Sequence, residues 1–200
     1  MTRLSPALVA RAGVRRLPRW GLLLFCAIYV LAGFIGRAPW RHTDAASFGY
    51  MLDLAQGKTT SWLTPGLFSG AGYFDALLPY WIGSLSIQAT SGWLDPFVAV
   101  RAVSVGMLCL TLLAVWYAIY YLARSPEAQP VSFAFGGEAK PKDYARALAD
   151  GGLLAFMACL GLAEQAHGVG PALYQLCFAA MLLYALAALP YRLYTPALFG

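Results

Sequence analysis

The sequence predicts an all-α integral membrane protein with about four transmembrane helices and an outer loop that carries amphipathic interfacial helices. The chain of 200 residues is 60% hydrophobic and only 12% charged, and its mean hydropathy is +0.61. A soluble domain carries roughly twice that charged fraction. Four apolar runs, at residues 20–35, 102–123, 151–166 and 172–189, supply the candidate spans.

These runs divide the chain into alternating spans and connections. A bilayer core about 30 Å thick needs a helix of roughly 17–25 residues, and the shorter runs reach this length with their flanks. The first run fits an uncleaved anchor better than a signal peptide, because its apolar stretch exceeds a usual signal core. We expect a basic N-terminus at 1–19, spans at 20–36, 101–123, 149–167 and 171–190, an outer loop at 37–100, an inner loop at 124–148, and a C-terminal segment at 191–200.

The basic residues predict the orientation of the chain. Five arginines and no acid precede the first run: Arg3, Arg11, Arg15, Arg16 and Arg19. Positive residues near span ends stay cytoplasmic, so the N-terminus of this multi-pass protein is expected to be cytoplasmic. With four spans, ten of the 14 Lys and Arg residues fall on that side. The net charge of +5 is therefore explained by the orientation of the chain in the membrane. Membrane lipids are expected partners, and nucleic acid is not.

Cysteine and histidine spacing gives no support to a metal site. All four cysteines lie inside apolar runs without C-x-x-C spacing, and His42 and His167 are far apart in sequence. Gly136-Gly137 lacks the spacing of a phosphate-cradling loop. We expect no metal, no disulfide framework and no other cofactor.

The outer loop begins with a predicted helix. Its apolar residues recur at helical spacing, and they are Phe48, Met51, Leu52 and Ala55. Gly57 is expected to end this helix, and Thr43 or Asp44 could cap its start by accepting a free backbone N–H.

A second helix of the outer loop is expected to lie along the outer leaflet. Its apolar stripe comprises Leu77, Leu78, Trp81, Ile82 and Leu85. The stretch is too short to span, so we place it at the interface, with Tyr80 and Trp81 at headgroup level. Asp75 would open this helix, and Asp95, directly before Pro96, would begin the second span as a cap or turn residue.

Asp44 is the leading candidate for chemistry. An acid at the end of a span is partly desolvated, so its basicity can rise enough to take a proton from an acceptor hydroxyl. The alternative is that Asp44 only caps the helix. Nearby Arg37 and Arg41 could bind phosphate through their guanidinium forks, or could simply extend toward lipid headgroups, as basic residues at span ends often do. Glu164 and His167, three apart, form a further ionisable pair near the outer end of the third span.

The order of features resembles the N-terminal part of the GT-C membrane glycosyltransferases. This group includes the protein O-mannosyltransferases and the aminoarabinose transferases that act on lipid A. The similarity covers about residues 20–125. Its motifs are Asp44 in the first outer loop, Trp62-Leu63-Thr64-Pro65, Pro79-Tyr80-Trp81-Ile82-Gly83 and Val100-Arg101-Ala102.

The resemblance implies a transferase that moves a sugar from a polyprenyl-phosphate-linked donor to a lipid, glycan or protein acceptor. The reaction would take place on the outer face of a bacterial inner membrane. Asp44 would be the catalytic base or the group that orients the acceptor. Arg37, Arg41 and the adjacent His42 would be candidate partners of the donor. Asp75, Tyr80 and Trp81 would contribute to the same substrate-binding region.

The sequence departs from the family pattern in two places. Ala45 replaces the Glu that usually follows the aspartate, and Asp75-Ala76-Leu77-Leu78 replaces the usual Lys-Pro-Pro-Leu. The second change reverses a charge that can face the lipid phosphate in relatives. Because relatives carry more spans, and because the last residues resemble the approach to a fifth span, we expect the chain to be a fragment.

Two other functions stay open at this stage. The chain could be a non-catalytic four-span scaffold or assembly subunit whose amphipathic loop docks on another subunit. A transporter is a weaker alternative, because apart from Glu164 the predicted spans lack the midplane ionisable residues that ion coupling needs.

Overall fold

The computed structural model describes residues 8–36, 41–58, 61–66, 76–134 and 136–191. The described chain forms seven α-helices: α1 (Arg19–Phe34), α2 (His42–Ala55), α3 (Leu78–Ala89), α4 (Pro96–Ala123), α5 (Pro141–Ala158), α6 (Leu160–Ala166) and α7 (Pro171–Ala188). Short 3-10 turns lie at Arg11–Gly13 and Pro126–Ala128, and an isolated antiparallel bridge joins Ala10 to Glu138. The expectation of an all-α fold is therefore confirmed for the described residues.

Within the described ranges, two helices are long and apolar enough to cross a bilayer. They are α4, with a mean hydropathy of 2.2, and α7, with 1.6. The pair α5 and α6 would supply a third span if it crosses as one unit, while α1 is a shorter apolar helix of 16 residues, about 24 Å long. Large apolar side chains on α1 are exposed, as in Trp20 at 72% and Leu23 at 68%. These apolar helices indicate a membrane-embedded protein.

The expected third span at residues 149–167 does not coincide with one continuous helix. Helix α5 starts earlier, at Pro141, and it ends at Ala158. Cys159 is extended, with φ −74° and ψ 104°, so the helical hydrogen-bond ladder is interrupted before α6 begins. The mixed-charge residues 140–146, expected in the inner loop, instead form the first turns of α5 and its N-cap. Composition is similarly apolar on both sides of Cys159, which is why periodicity alone did not reveal the break.

The second predicted span also begins earlier than expected. Helix α4 starts at Pro96 and not at residue 101. Asp95 Oδ1 accepts the backbone N–H of Phe97 at 2.9 Å, which satisfies one free donor of the first turn. The expected capping role of Asp95 is confirmed.

The described residues group into two compact units. Unit 1 comprises 8–27, 111–134, 136–159 and 179–191, and unit 2 comprises 28–36, 41–58, 61–66, 76–110 and 160–178. Unit 1 contains an aromatic cluster around Tyr121, whose ring lies 5.3 Å from that of Tyr191. Arg124 lies over the Tyr191 ring, 5.2 Å from its centroid, so a cation–π contact closes the cluster.

The core of unit 2 is formed where α2 packs against α3. Met51 and Leu54 of α2 are fully buried, and the rings of Tyr50 and Tyr80 lie 5.3 Å apart. The buried face of α3 also contains Ser84, one turn beyond Tyr80, and Ile87, two turns beyond it. Of the predicted apolar stripe, Leu78 and Leu85 are exposed, whereas Trp81 is partly buried and packs against this core. The helix is confirmed, and its two exposed leucines are compatible with the predicted position at the membrane interface.

Candidate functional site

The candidate site in unit 2 is organised around Asp44. Helix α2 begins at His42, with Arg41 as its N-cap in an extended conformation (φ −86°, ψ 142°) and without a capping side-chain hydrogen bond. Asp44 is therefore the third helical residue, and the expectation that Thr43 or Asp44 forms the cap is wrong. The Asp44 carboxylate is instead directed to the chain before α7, where Oδ1 accepts the backbone N–H of Val169 at 3.3 Å.

A glycine at position 168 allows this close approach of backbone to carboxylate, and a second glycine at 170 lies against Ser47. A Cβ at Gly168 would lie 2.9 Å from Asp44 Oδ1, and a Cβ at Gly170 would lie 3.3 Å from Ser47 Oγ. Contacts below 3.0 Å force a neighbour to move. The Val169 N–H can therefore reach the carboxylate because Gly168, the residue before it, has no side chain.

The surroundings of Asp44 raise its basicity. Burial raises the pKa of the Asp44 carboxyl above its ordinary value of 3.8, because it removes water that would stabilise the charged form. The Val169 hydrogen bond and the positive charges of Arg41 and Arg101 oppose part of this rise. The result is a half-buried acid that accepts a proton more readily than an exposed aspartate.

Arg41 connects the start of α2 to α6. Its guanidinium group forms an ion pair with the Glu164 carboxylate and also donates to the Glu164 backbone carbonyl at 3.4 Å. The Arg41 side chain is 24% exposed and that of Glu164 is 58% exposed, so solvent and any ligand can reach the pair. An exposed ion pair of this kind contributes about 0–1 kcal/mol, which a bound anion could readily outcompete.

His167, directly after α6, fixes this segment to α1. Its Nδ1 lies 2.7 Å from the carbonyl oxygen of Ala163 and its Nε2 lies 2.9 Å from that of Tyr29. The imidazole also contacts the Tyr29 ring edge-on, with centroids 4.7 Å apart, and the Phe34 ring at 5.5 Å. The residue thus packs as a cross-link between helices.

These groups surround an open cavity of about 490 Å³. Its residues are Ile28, Tyr29, Ala32, Gly33, Arg41, Asp44, Leu160, Ala163, Glu164 and His167. Helix α1 supplies a mostly apolar wall, whereas α6, His167 and the start of α2 supply four ionisable side chains. A cavity of this size with an apolar wall and a few convergent polar groups is typical of a small-molecule site.

The structure brings together only part of the predicted site. Arg41 and Asp44 line the cavity, while His42 is exposed at the first position of α2 and is not among the lining residues. Tyr80 lies in the α2–α3 core, and Trp81 Nε1 donates to the Trp62 carbonyl at 2.8 Å, so neither lines the cavity.

Two predicted site residues, Arg37 and Asp75, lie outside the described residues. In the part of the chain that the structure describes, no three His, Cys, Asp or Glu side chains come together as a metal site would require.

The residues that the sequence alone does not place at this site come from α6 and from the segment between α6 and α7. Glu164 and His167 were recognised as an ionisable pair, but nothing in the sequence joined them to Asp44, which lies about 120 positions earlier. One sequence feature could have indicated the role of Gly168, Val169 and Gly170. Two glycines separated by one residue stand directly before Pro171, a combination typical of a turn at a helix start.

Comparison of the chain with protein-family models, with curated proteins and with solved structures found no match.

Proposed function

We propose that this chain belongs to a membrane glycosyltransferase that moves a sugar from a polyprenyl-phosphate-linked donor to an acceptor hydroxyl. The observation that carries the proposal is a half-buried Asp44 of raised pKa in the same cavity as the Arg41 guanidinium and the apolar wall of α1. A donor of this class has an apolar tail, a phosphate and a sugar. The cavity offers a complementary surface for each part, with Asp44 close to the polar groups.

In the proposed reaction, the Asp44 carboxylate takes the proton of the acceptor hydroxyl. The hydroxyl oxygen bonds to the anomeric carbon, and the bond from that carbon to the phosphate oxygen breaks. The polyprenyl phosphate leaves with the bonding electron pair, and the Arg41 guanidinium offsets the negative charge that develops on it.

Arg41 must exchange partners for this reaction to occur. In the structure, its guanidinium is paired with Glu164, so the donor phosphate would compete with this carboxylate for the same N–H donors. The donor phosphodiester and a carboxylate can each accept two hydrogen bonds from one guanidinium group, so the two compete directly for Arg41. Glu164 would therefore tune the affinity for the donor.

The proposed orientation follows from the basic residues. With the N-terminus cytoplasmic in a bacterial inner membrane, α2 and the segment between α6 and α7 would face the outer side, where lipid-linked donors are used. The acceptor, whether lipid, glycan or protein, would approach the same cavity.

The test measures sugar transfer by the chain in native membrane lipids, with a panel of polyprenyl-phosphate-linked sugars. Asp44→Asn should abolish transfer and leave membrane insertion intact, because the amide still accepts the Val169 N–H but cannot take a proton. Asp53→Asn is the matched control, since Asp53 lies on the same helix and does not line the cavity. Retained transfer by Asp44→Asn would end the assignment.

A non-catalytic scaffold is the second candidate. The Arg41–Glu164 ion pair favours it, because both charges are used in an internal contact. In that case no polyprenyl-phosphate sugar should bind, and Asp44→Asn should act only through the stability of the α2 start.

A further inference from the structure

The N-terminal residues 8–19, which we name the strap, are held in place by backbone hydrogen bonds within unit 1. The Arg11 N–H donates to the Gly137 carbonyl at 2.8 Å, and the Ala139 N–H donates to the Val9 carbonyl at 3.2 Å. These bonds form the isolated bridge between the strap and residues 137–139. The strap is therefore an ordered part of the fold and presents its side chains from a fixed backbone.

Side chains extend this attachment to the first turns of α5. Arg16 forms an ion pair with Asp143 at 3.0 Å, and Arg146 donates to the Leu17 carbonyl at 3.5 Å. The strap and the start of α5 consequently form one continuous surface.

This surface carries an uncompensated positive charge. The four arginines of the strap are all exposed, and the strap contains no acid. Among the described residues, Arg11, Arg15 and Arg19 have no carboxylate partner, and the start of α5 adds exposed Lys140 and Lys142. In the described chain, unit 1 contains eight Lys and Arg against four acids, whereas unit 2 contains three against four. The positive charge is thus concentrated on one unit.

Exposed apolar residues flank the charged part of the strap. Leu8 at one end is 76% exposed, and Trp20 directly after the other end is 72% exposed. Trp20 is the second residue of the apolar helix α1, whose Leu23 and Leu24 are also exposed. An indole beside basic residues at the end of an apolar helix is typical of the headgroup level of a bilayer.

We propose that the strap and the start of α5 form a binding surface for the phosphate groups of anionic phospholipids. The positive charge of the arginines and lysines attracts the phosphate groups. The exposed apolar residues at both ends of the strap favour a lipid surface, because neither a dissolved phosphate nor a nucleic acid provides an apolar phase in which they could be buried. The proposal is independent of the transferase, because the strap belongs to unit 1 and the candidate cavity to unit 2.

The test uses the full chain in detergent micelles, offered equal amounts of phosphatidylglycerol and phosphatidylcholine. Native mass spectrometry then measures which lipids stay bound. The native chain should retain phosphatidylglycerol preferentially. The variant Arg11→Gln/Arg15→Gln/Arg19→Gln should lose this preference by about tenfold or more, since each basic residue near an anionic surface contributes a factor of about five.

A matched variant separates charge from arginine geometry. Arg11→Lys/Arg15→Lys/Arg19→Lys keeps every charge and should retain the preference, which should also weaken as salt is raised. If the glutamine variant does not insert or fold, the test is the salt titration of the native chain. A preference for phosphatidylglycerol that does not change with salt concentration refutes the proposal. Equal retention of the two lipids, or full competition by inorganic phosphate or by a short RNA, also refutes it.

Discussion

The imidazole of His167 lies directly against the backbone of α1 at Gly33. A Cβ placed on Gly33 would overlap the Cδ2, Nε2 and Cγ atoms of His167. The absence of a side chain lets the ring reach the Tyr29 carbonyl, one turn earlier on α1, at 2.9 Å. His167 directly precedes the Gly168-Val169-Gly170 segment, whose Val169 N–H donates to the Asp44 carboxylate.

Gly33→Ala should displace the His167 ring and destabilise unit 2. A methyl group inserted into a filled contact costs about 1–3 kcal/mol. Thermal unfolding in detergent would measure the loss. Gly106→Ala is the control, because Gly106 lies on helix α4 with nothing within 4 Å of its Cβ position. That control should be neutral or slightly stabilising, by about 0.5–1 kcal/mol. Equal unfolding temperatures for the two variants would contradict the contact.

Gly168→Ala should reduce sugar transfer although it leaves every ionisable group in place. The added Cβ would lie 2.9 Å from Asp44 Oδ1 and would push the carboxylate away from its position. We expect kcat to fall more than the affinity for donor changes, because the base is displaced and the Arg41 contact is not. Gly161→Ala on α6, where nothing lies within 4 Å of the added Cβ, should retain wild-type rates. An unchanged kcat in Gly168→Ala would mean that this carboxylate position is not needed.

The pH profile of transfer should report the ionisation of Asp44. Burial raises its folded-state pKa above 3.8, and a general base must be ionised, so the acidic limb of kcat/KM should lie above pH 3.8. The same shift means that protonated Asp44 favours folding below about pH 3.8, an advantage that is lost as pH rises through the folded-state pKa. Relative to Asp44→Asn, the free energy of unfolding of the native chain should therefore decrease across that interval. Parallel stability curves for the two proteins would exclude a raised pKa.

Glu164→Gln and Arg41→Gln should change donor binding in opposite directions. The first substitution frees the guanidinium from its carboxylate partner, so the KM for a polyprenyl-phosphate donor should fall, by up to about fivefold for an exposed pair. The second removes the phosphate partner, so KM should rise. Double-mutant analysis with both changes would show whether they act through one contact. A rise in KM for both single variants would instead assign Glu164 to the substrate.

A buried contact in unit 1 gives a test of stability that is separate from the site. Trp116 Nε1 donates to Asp150 Oδ1 at 2.8 Å, and Asp150 is only 2% exposed. Asp150→Ala leaves the indole N–H without an acceptor, which costs about 1–3 kcal/mol. Asp150→Asn keeps the accepting oxygen and should lose less. Thermal unfolding monitored by circular dichroism would rank the three proteins, and an equal loss in both variants would show that the carboxylate itself is required.

Local pattern predicts most helices of this protein, although not the early start of α5 or the break between α5 and α6. Apolar runs located α4 and α7 to within a few residues, helical spacing located α2, and the acid before Pro96 located the start of α4. These features depend on neighbouring residues, because periodicity and capping involve contacts between positions at most four apart.

What the sequence by itself determined is therefore a set of apolar helices, their charge distribution and one acid at the start of α2. Only the tertiary structure decided which groups meet. It joined Arg41 to Glu164 and Asp44 to Val169, across separations of 123 and 125 residues, and it placed Tyr80 in a core instead of the cavity. Such contacts depend on how residues distant in sequence pack together. Gly33 and Gly168 are needed only because the His167 ring and Asp44 Oδ1 occupy the space that their side chains would fill.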